Sequence, residues 1–182
     1  MTDSAKQQII VILGPTACGK TALSVAVAQR FNCEIISADS MQVYQGMDIG
    51  SAKIKPAEQK GIPHHLLDIM PPNEAFSVAD FHRLADQAIA DISSRGKLPL
   101  ICGGTGLYIN SLVAPYNFSS SIDSDPQIRE KLRLEFEKNG GEDMYQRLQQ
   151  IDPHYASKIH PHDSRRLIRA LEIYDVSGKA PS

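Results

Sequence analysis

An eight-residue loop constrains this chain more than any other feature: Gly14-Pro15-Thr16-Ala17-Cys18-Gly19-Lys20-Thr21. It has the form G-x-x-x-x-G-K-[ST], and its context is specific. A short β-branched run, Gln8–Leu13 (QIIVIL), precedes it, and a helical stretch, Lys20–Phe31, follows. The glycines let the backbone curl until several N–H groups face one anion, and the helix N-terminus adds the positive end of its dipole. Lys20 can neutralise phosphate oxygens, and the Thr21 hydroxyl suits Mg2+. Residues 14 to 21 are therefore the candidate set for binding a diphosphate or nucleotide, with Mg2+ as the expected cofactor and Thr21 as its ligand. The pattern does not say what group is transferred. A chance glycine-rich turn is the bland alternative.

Strand and helix patterns alternate through the first part of the sequence. Cys33–Ser37 (CEIIS) and Leu98–Cys102 (LPLIC) are apolar runs of strand length, and His65–Met70 (HLLDIM) is a shorter candidate. Within Lys20–Phe31, Leu23, Val27 and Phe31 share one stripe. Within Val78–Ser94 the apolar side carries Phe81, Leu84, Ala85, Ala88, Ile89 and Ile92. Ser77 with Asp80 caps that helix and Gly96 closes it. Gly46–Pro63 reads as loop, and a further helix spans about Leu107–Val113. The alternation predicts an α/β fold over residues 1–116, a P-loop NTPase-like core with a parallel sheet. Asn117–Ser124 is a Ser-rich linker, and Asp125-Pro126 opens a charged helix running to about Lys138. Shorter helices follow near 142–150 and 153–159. Residues 117–160 are expected as a small all-helical insertion, and 161–182, with a helix over Ser164–Val176, as a return to the core.

Composition narrows the function classes. Apolar residues make up 42% and charged residues 22%, ordinary for a globular chain. The net charge is −2, so nucleic-acid contact must come from a local basic patch. Cys18, Cys33 and Cys102 form no C-x-x-C pair and suit a reducing compartment. No apolar run approaches the roughly 20 residues that span a bilayer, and Met1–Gln8 has no apolar signal core. A cytoplasmic monomer with no membrane partner is the expectation.

Further chemistry clusters after the strands. Asp39 directly follows the second strand, at the carboxyl edge where α/β sheets bind ligands. It suits a general base or a Mg2+-associated carboxylate, and a plain turn cap is the third option. Gly103-Gly104-Thr105-Gly106 follows the later strand in the same way. Its glycines permit close backbone approach, and Thr105 can donate a hydrogen bond or cap the next helix. On the last helix Arg165, Arg166 and Arg169 share a face. They suit phosphate contacts, or a solvated face paired with acids such as Glu172. His64, His65, His154, His160 and His162 lack metal-site spacing. Asp48–Lys53 has no self-evident chemistry beyond a loop that could touch substrate.

Taken together, GPTACGKT (14–21), DSMQVY (39–44), GMDIGSAK (46–53), PHHLLDI (63–69), GGTGLY (103–108) and HPHDSRRLIRALEIYDVSGK (160–179) resemble the tRNA dimethylallyltransferases, also called tRNA isopentenyltransferases. The resemblance runs from Ile9 onward. It implies transfer of the dimethylallyl group of dimethylallyl diphosphate to the exocyclic amine of an adenosine next to the tRNA anticodon. The phosphate loop would then grip a leaving diphosphate. Asp39 would be the base, and Thr105 would position the reacting groups, with Lys20 the third catalytic residue. Asp39, Ser40, Met41 and Gln42 would contact the extruded adenosine. Arg165, Arg166, Leu167, Ile168 and Arg169 would form a second tRNA-contacting segment, and the helical insertion would clamp the anticodon stem-loop.

Ser51 stands where that family usually has Thr, and Cys18 where it often has Ser. Family members also continue beyond the segment ending here at Ser182, with a further diphosphate-contacting arginine, so weak or absent activity is expected of residues 1–182 alone. Three rival readings remain: a P-loop small-molecule kinase, a prenyltransferase of free adenine nucleotides, and a non-catalytic nucleotide- or RNA-binding remnant. The kinase leaves the 46–53 and 103–108 segments unexplained, and a free nucleotide needs no stem clamp.

Overall fold

The structure, a computed structural model, describes residues 8–114 and 125–182. The chain divides into two compact units, Met1–Tyr116 and Asn117–Ser182. The Ser-rich stretch over 117–124 lies outside the described residues.

In the first unit four parallel strands form one sheet: β1 (Ile10–Leu13), β2 (Cys33–Ser37), β3 (His64–His65) and β4 (Leu98–Gly103), in the order β1-β4-β2-β3. Their β-branched residues suit the pleat, and successive side chains point to opposite faces. Ile36 and Ile101 join one cluster with Phe81, Ala85, Ile89 and Ile92 of α2 (Val78–Ser94) and with Tyr108 and Ile109 of α3 (Gly106–Val113). Ile35 and Leu100 join the other with Val25 and Ala28 of α1 (Lys20–Phe31) and with Ile54. Both faces are covered, as a parallel sheet requires. α2 starts at a capping box in which Ser77 accepts from the Asp80 amide and the Asp80 carboxylate accepts from Ser77 N–H.

Two expectations for this unit change. The face that α1 buries is Ser24, Val25 and Ala28, while Leu23 and Phe31 remain about half exposed. Val27 of the expected stripe packs partly against the cluster that holds Val25 and Ala28. His65–Met70 is not one strand. Leu66 (φ 61°) and Asp68 (φ 53°) turn the chain left-handed after His65, and Met70 returns only as an isolated bridge to Tyr44.

At the amino end of β2, Glu34 is 1% exposed. It accepts hydrogen bonds from Arg95, Lys97 (2.8 Å) and His65 (2.7 Å), joining β2 to β3 and to the connection between α2 and β4. The Arg95 hydrogen bonds, helped by Lys97 and His65, outweigh burial and hold the carboxyl far below the usual carboxylate range.

The second unit contains α4 (Pro126–Asn139), α5 (Glu142–Ile151), α6 (Pro153–Ala156) and α7 (Ser164–Ser177). Asp125 caps α4 through the Gln127 and Ile128 amides, and Asp163 caps α7 through the Arg166 amide. Leu132, Met144, Leu148, Ala156, Leu167, Ala170 and Leu171 form its core. The last helix was expected to return to the α/β core. It belongs instead to this helical unit, because its apolar stripe fills the space between α4 and α5.

Because the folded-state pKa of Glu34 is depressed, its stabilisation is present above the unfolded value of about 4.3 and is lost as pH falls toward the folded value. Glu34→Gln is expected to lower stability at pH 7 by about 2 kcal/mol. In urea unfolding followed by circular dichroism, the gap from the unsubstituted chain should narrow as the pH drops below about 4.5.

Candidate functional site

Three loops meet at the carboxyl edge of the sheet because β4 lies between β1 and β2. The first is the phosphate loop. Ala17 (φ 65°) and Gly19 (φ 87°) adopt left-handed backbone there, and Gly19 is the N-cap of α1 with no side-chain cap. The orphan amides of the first turn of α1 are thus left without a side-chain partner at the cap. Lys20 Nζ folds back over the loop to donate to the Pro15 carbonyl at 2.5 Å, 3.9 Å from Cys18 Sγ. Thr21 is exposed on the first turn.

The second and third loops are locked together. Beyond the last ladder pair, Ala38 N–H donates to the Cys102 carbonyl (2.9 Å) and Thr105 N–H donates to the Ala38 carbonyl (3.1 Å). A Cβ on Gly103 would lie 2.1 Å from the Ala38 oxygen, so only glycine permits this approach. A Cβ on Gly104 would lie 3.5 Å from the Gly14 carbonyl, which places this loop against the phosphate loop.

Thr105 Oγ1 accepts from Ser40 N–H at 3.0 Å. Thr105 is the N-cap residue of α3, but its side chain makes no capping bond. The hydroxyl therefore reaches across to the Asp39 loop and keeps its own proton to donate. Asp39 Oδ1 accepts from Met41 N–H (2.9 Å) and Gln42 N–H (3.4 Å). The turn-cap option is thus realised through one oxygen. Among the described residues, no hydrogen-bond partner is seen for the other.

Met41 is exposed, but Gln42 is engaged at both ends. Its Oε1 accepts from Ser37 Oγ (3.2 Å), and its Nε2 donates to the Ser51 carbonyl (3.0 Å). Sequence reasoning also missed Lys53. Its side chain, 5% exposed, reaches Asp68 (2.5 Å), Asp48 (2.9 Å) and the Tyr44 carbonyl (2.8 Å). Burial opposes its charge, but the two carboxylates more than compensate and hold its pKa above the ordinary value. The 46–53 segment is thereby stapled behind the Asp39 loop. Tyr108 stacks on Phe81 at 4.2 Å, and its phenol is pushed up to about 12 by burial first and then by Tyr44, Asp39 and Asp80, so it stays neutral.

A cleft of about 430 Å³ opens beside Thr21, Ala22 and Val25 of α1, facing Ala52, Ile54, Glu58 and Lys60. It adjoins the phosphate loop but touches neither Asp39 nor Thr105. Among the described residues no three His, Cys, Asp or Glu side chains gather to cage a metal ion, and no helix is long and apolar enough to cross a membrane.

The arginine segment belongs to the second unit. Arg165 and Arg166 are exposed, with Arg166 3.6 Å from Asp163. Leu167 is fully buried in the helical core, which removes its side chain from any surface contact, and Ile168 packs partly against that core. Arg169 donates to Glu172 at 2.8 Å.

The IPP transferase family model matches residues 42–182. A tRNA dimethylallyltransferase from Caldanaerobacter subterraneus subsp. tengcongensis is 54% identical over 172 residues, covering 94% of this chain and 54% of that protein. One from Bacillus subtilis is 48% identical over 180 residues, covering 99% and 57%. The full-length tRNA isopentenylpyrophosphate transferase of Bacillus halodurans superposes with a TM-score of 0.62 at 49% identity, over 96% of this chain and 57% of that one. A eukaryotic dimethylallyltransferase acting on tRNA gives 0.77 at 38% identity, over 95% and 42%. The chain spans about half the length of the curated relatives it matches.

Thr105→Val removes the acceptor of a half-buried amide and is expected to cost about 1–2 kcal/mol in urea unfolding, with Thr105→Ser restoring most of it. Equal midpoints for the Val and Ser variants would show that the hydroxyl does not hold the Asp39 loop.

Proposed function

The chain belongs to the IPP transferase family, and we propose that it acts in transferring a dimethylallyl group from dimethylallyl diphosphate to the exocyclic amine of an adenosine beside a tRNA anticodon. The observation that carries this reading is the Thr105–Ser40 tie, which joins the Asp39 loop to the 103–106 loop, where a Cβ on Gly104 would lie 3.5 Å from the Gly14 carbonyl of the phosphate loop. A base held beside a diphosphate site suits a substitution in which the diphosphate departs.

In that reaction the amine nitrogen attacks the allylic carbon. The carbon–oxygen bond breaks, its electron pair leaves with the diphosphate, and the amine proton passes to the open oxygen of Asp39. The backbone N–H groups of residues 14–21, Pro15 excepted, and the Lys20 ammonium stabilise the charge that develops on the leaving group. The Thr105 hydroxyl proton is available to orient a substrate oxygen or nitrogen. The adenosine must leave its stack for this attack, and the exposed Met41 beside Asp39 offers it an apolar surface.

The Thr21 hydroxyl, exposed on the first turn of α1, would serve Mg2+ as one hard oxygen ligand, with water and diphosphate oxygens as the others. When bound there, Mg2+ would offset the negative charge of the leaving group. The tRNA contacts assigned to this function are Asp39, Ser40 and Met41 on the first unit, and Arg165, Arg166 and Arg169 on the second. A cytoplasmic site of action is part of this reading.

Asp39→Ala is expected to slow labelled dimethylallyl transfer at saturating tRNA by roughly 100-fold or more. An unaltered rate would remove Asp39 from the mechanism.

A further inference from the structure

Tyr108 is 5% exposed and belongs to the cluster that contains Ala38, the residue before Asp39. Its ring is held on two sides. It stacks on Phe81 with 4.2 Å between centroids and 9° between planes, and Phe76 meets it edge-on at 6.4 Å. Tyr108 stands on the first turn of α3, and its N–H donates to the Thr105 carbonyl at 3.0 Å. Helix side chains lean toward the N-terminus, so the ring is directed back along the turn that carries Thr105.

This packing uses the ring and leaves the hydroxyl over. A buried phenol finds a hydrogen-bond partner as a rule. Among the described residues none is seen for Tyr108 Oη, although every fully enclosed side-chain nitrogen and oxygen there has one. The hydroxyl is therefore the part of Tyr108 that reaches open surface. Burial pushes the phenol up to about 12, and Tyr44, Asp39 and Asp80 add to the shift, so the group remains a donor. Two carboxylates acting on this spot disfavour an anion and suit a neutral ligand that offers an acceptor. Adenine is such a ligand. Its amine is flanked by two ring nitrogens, N1 and N7, that only accept.

Resting on the transfer reading above, we propose that Tyr108 is a further substrate-contacting residue, whose hydroxyl donates to one ring nitrogen, N1 or N7, of the adenine whose amine meets Asp39. The contact orients the amine and selects a base with an acceptor beside it. Guanine, which carries a proton on N1, offers no acceptor there.

Tyr108→Phe keeps the ring and deletes only the oxygen. The test is labelled dimethylallyl transfer by a polypeptide containing this chain, across RNA concentration and pH. The substrates are synthetic anticodon stem-loops with adenosine, 1-deazaadenosine or 7-deazaadenosine at the target position. Tyr108→Phe is expected to lower kcat/KM on the adenosine RNA about tenfold. The acid limb of the pH profile should stay in place, and so should the urea midpoint, since the fold loses no hydrogen bond. One of the two deaza substrates should lose the same factor and show no further loss with Tyr108→Phe. Unchanged kcat/KM on the adenosine RNA would overturn the proposal, as would an undiminished penalty with both analogues. An acid limb moved to higher pH would overturn it in favour of a residue acting through Asp39, and a lowered urea midpoint in favour of a residue of the fold. Absence of transfer by the unsubstituted polypeptide would instead overturn the reading on which the proposal rests.

Discussion

The Ala38 carbonyl occupies the space that a side chain on Gly103 would need. The rest of the site depends on that contact. It lets the sheet pairing of β2 and β4 run on past the last ladder residue, through Ala38 to Cys102 and Thr105 to Ala38. Thr105 is thereby brought to Ser40, and Ser40 adjoins Asp39. The phosphate loop comes to the same place by a different route, from β1 on the other side of β4. Strand order therefore does the assembling, and the glycine makes it close enough to matter.

A second layer holds this edge from behind. Gln42 bridges Ser37 and Ser51, and buried Lys53 gathers Asp48, Asp68 and the Tyr44 carbonyl. These bonds use side chains that a motif reading would hand to substrate. Their effect is to restrict the loop that carries Asp39, so that little ordering remains to be done when a reaction begins. The side chains these bonds leave open at the edge are Lys20, exposed Thr21, one oxygen of Asp39 and the Thr105 hydroxyl proton.

Much of this was legible in the sequence, for local reasons. The bounds of α1, β2 and α2 match because Gly19, Asn32 and Ser77 are local stop and start signals that tertiary packing does not overrule. The α/β class follows from the alternation itself. Other features required knowledge of distant neighbours. The buried face of α1 is Ser24, Val25 and Ala28, which the apolar stripe of Leu23, Val27 and Phe31 does not announce. The HLLDIM run is apolar enough for a strand, but two left-handed residues break it, and nothing in their identity announces that. Glu34 looks like an ordinary charged residue at a strand start until Arg95, Lys97 and His65 surround it. Pairing with Glu172 was open in the sequence for the α7 arginines, and the structure shows it for Arg169.

The central claim is that this phosphate loop holds a diphosphate that leaves carbon, and does not pass a phosphoryl group to an acceptor. The most direct measurement supplies a polypeptide containing this chain with Mg2+, dimethylallyl diphosphate and unmodified tRNA, then follows diphosphate release and analyses the nucleosides by mass spectrometry. The account predicts diphosphate release matched by an adenosine carrying the five-carbon group. Unmodified adenosine, together with ADP formed when ATP and a hydroxyl acceptor are supplied instead, would contradict it.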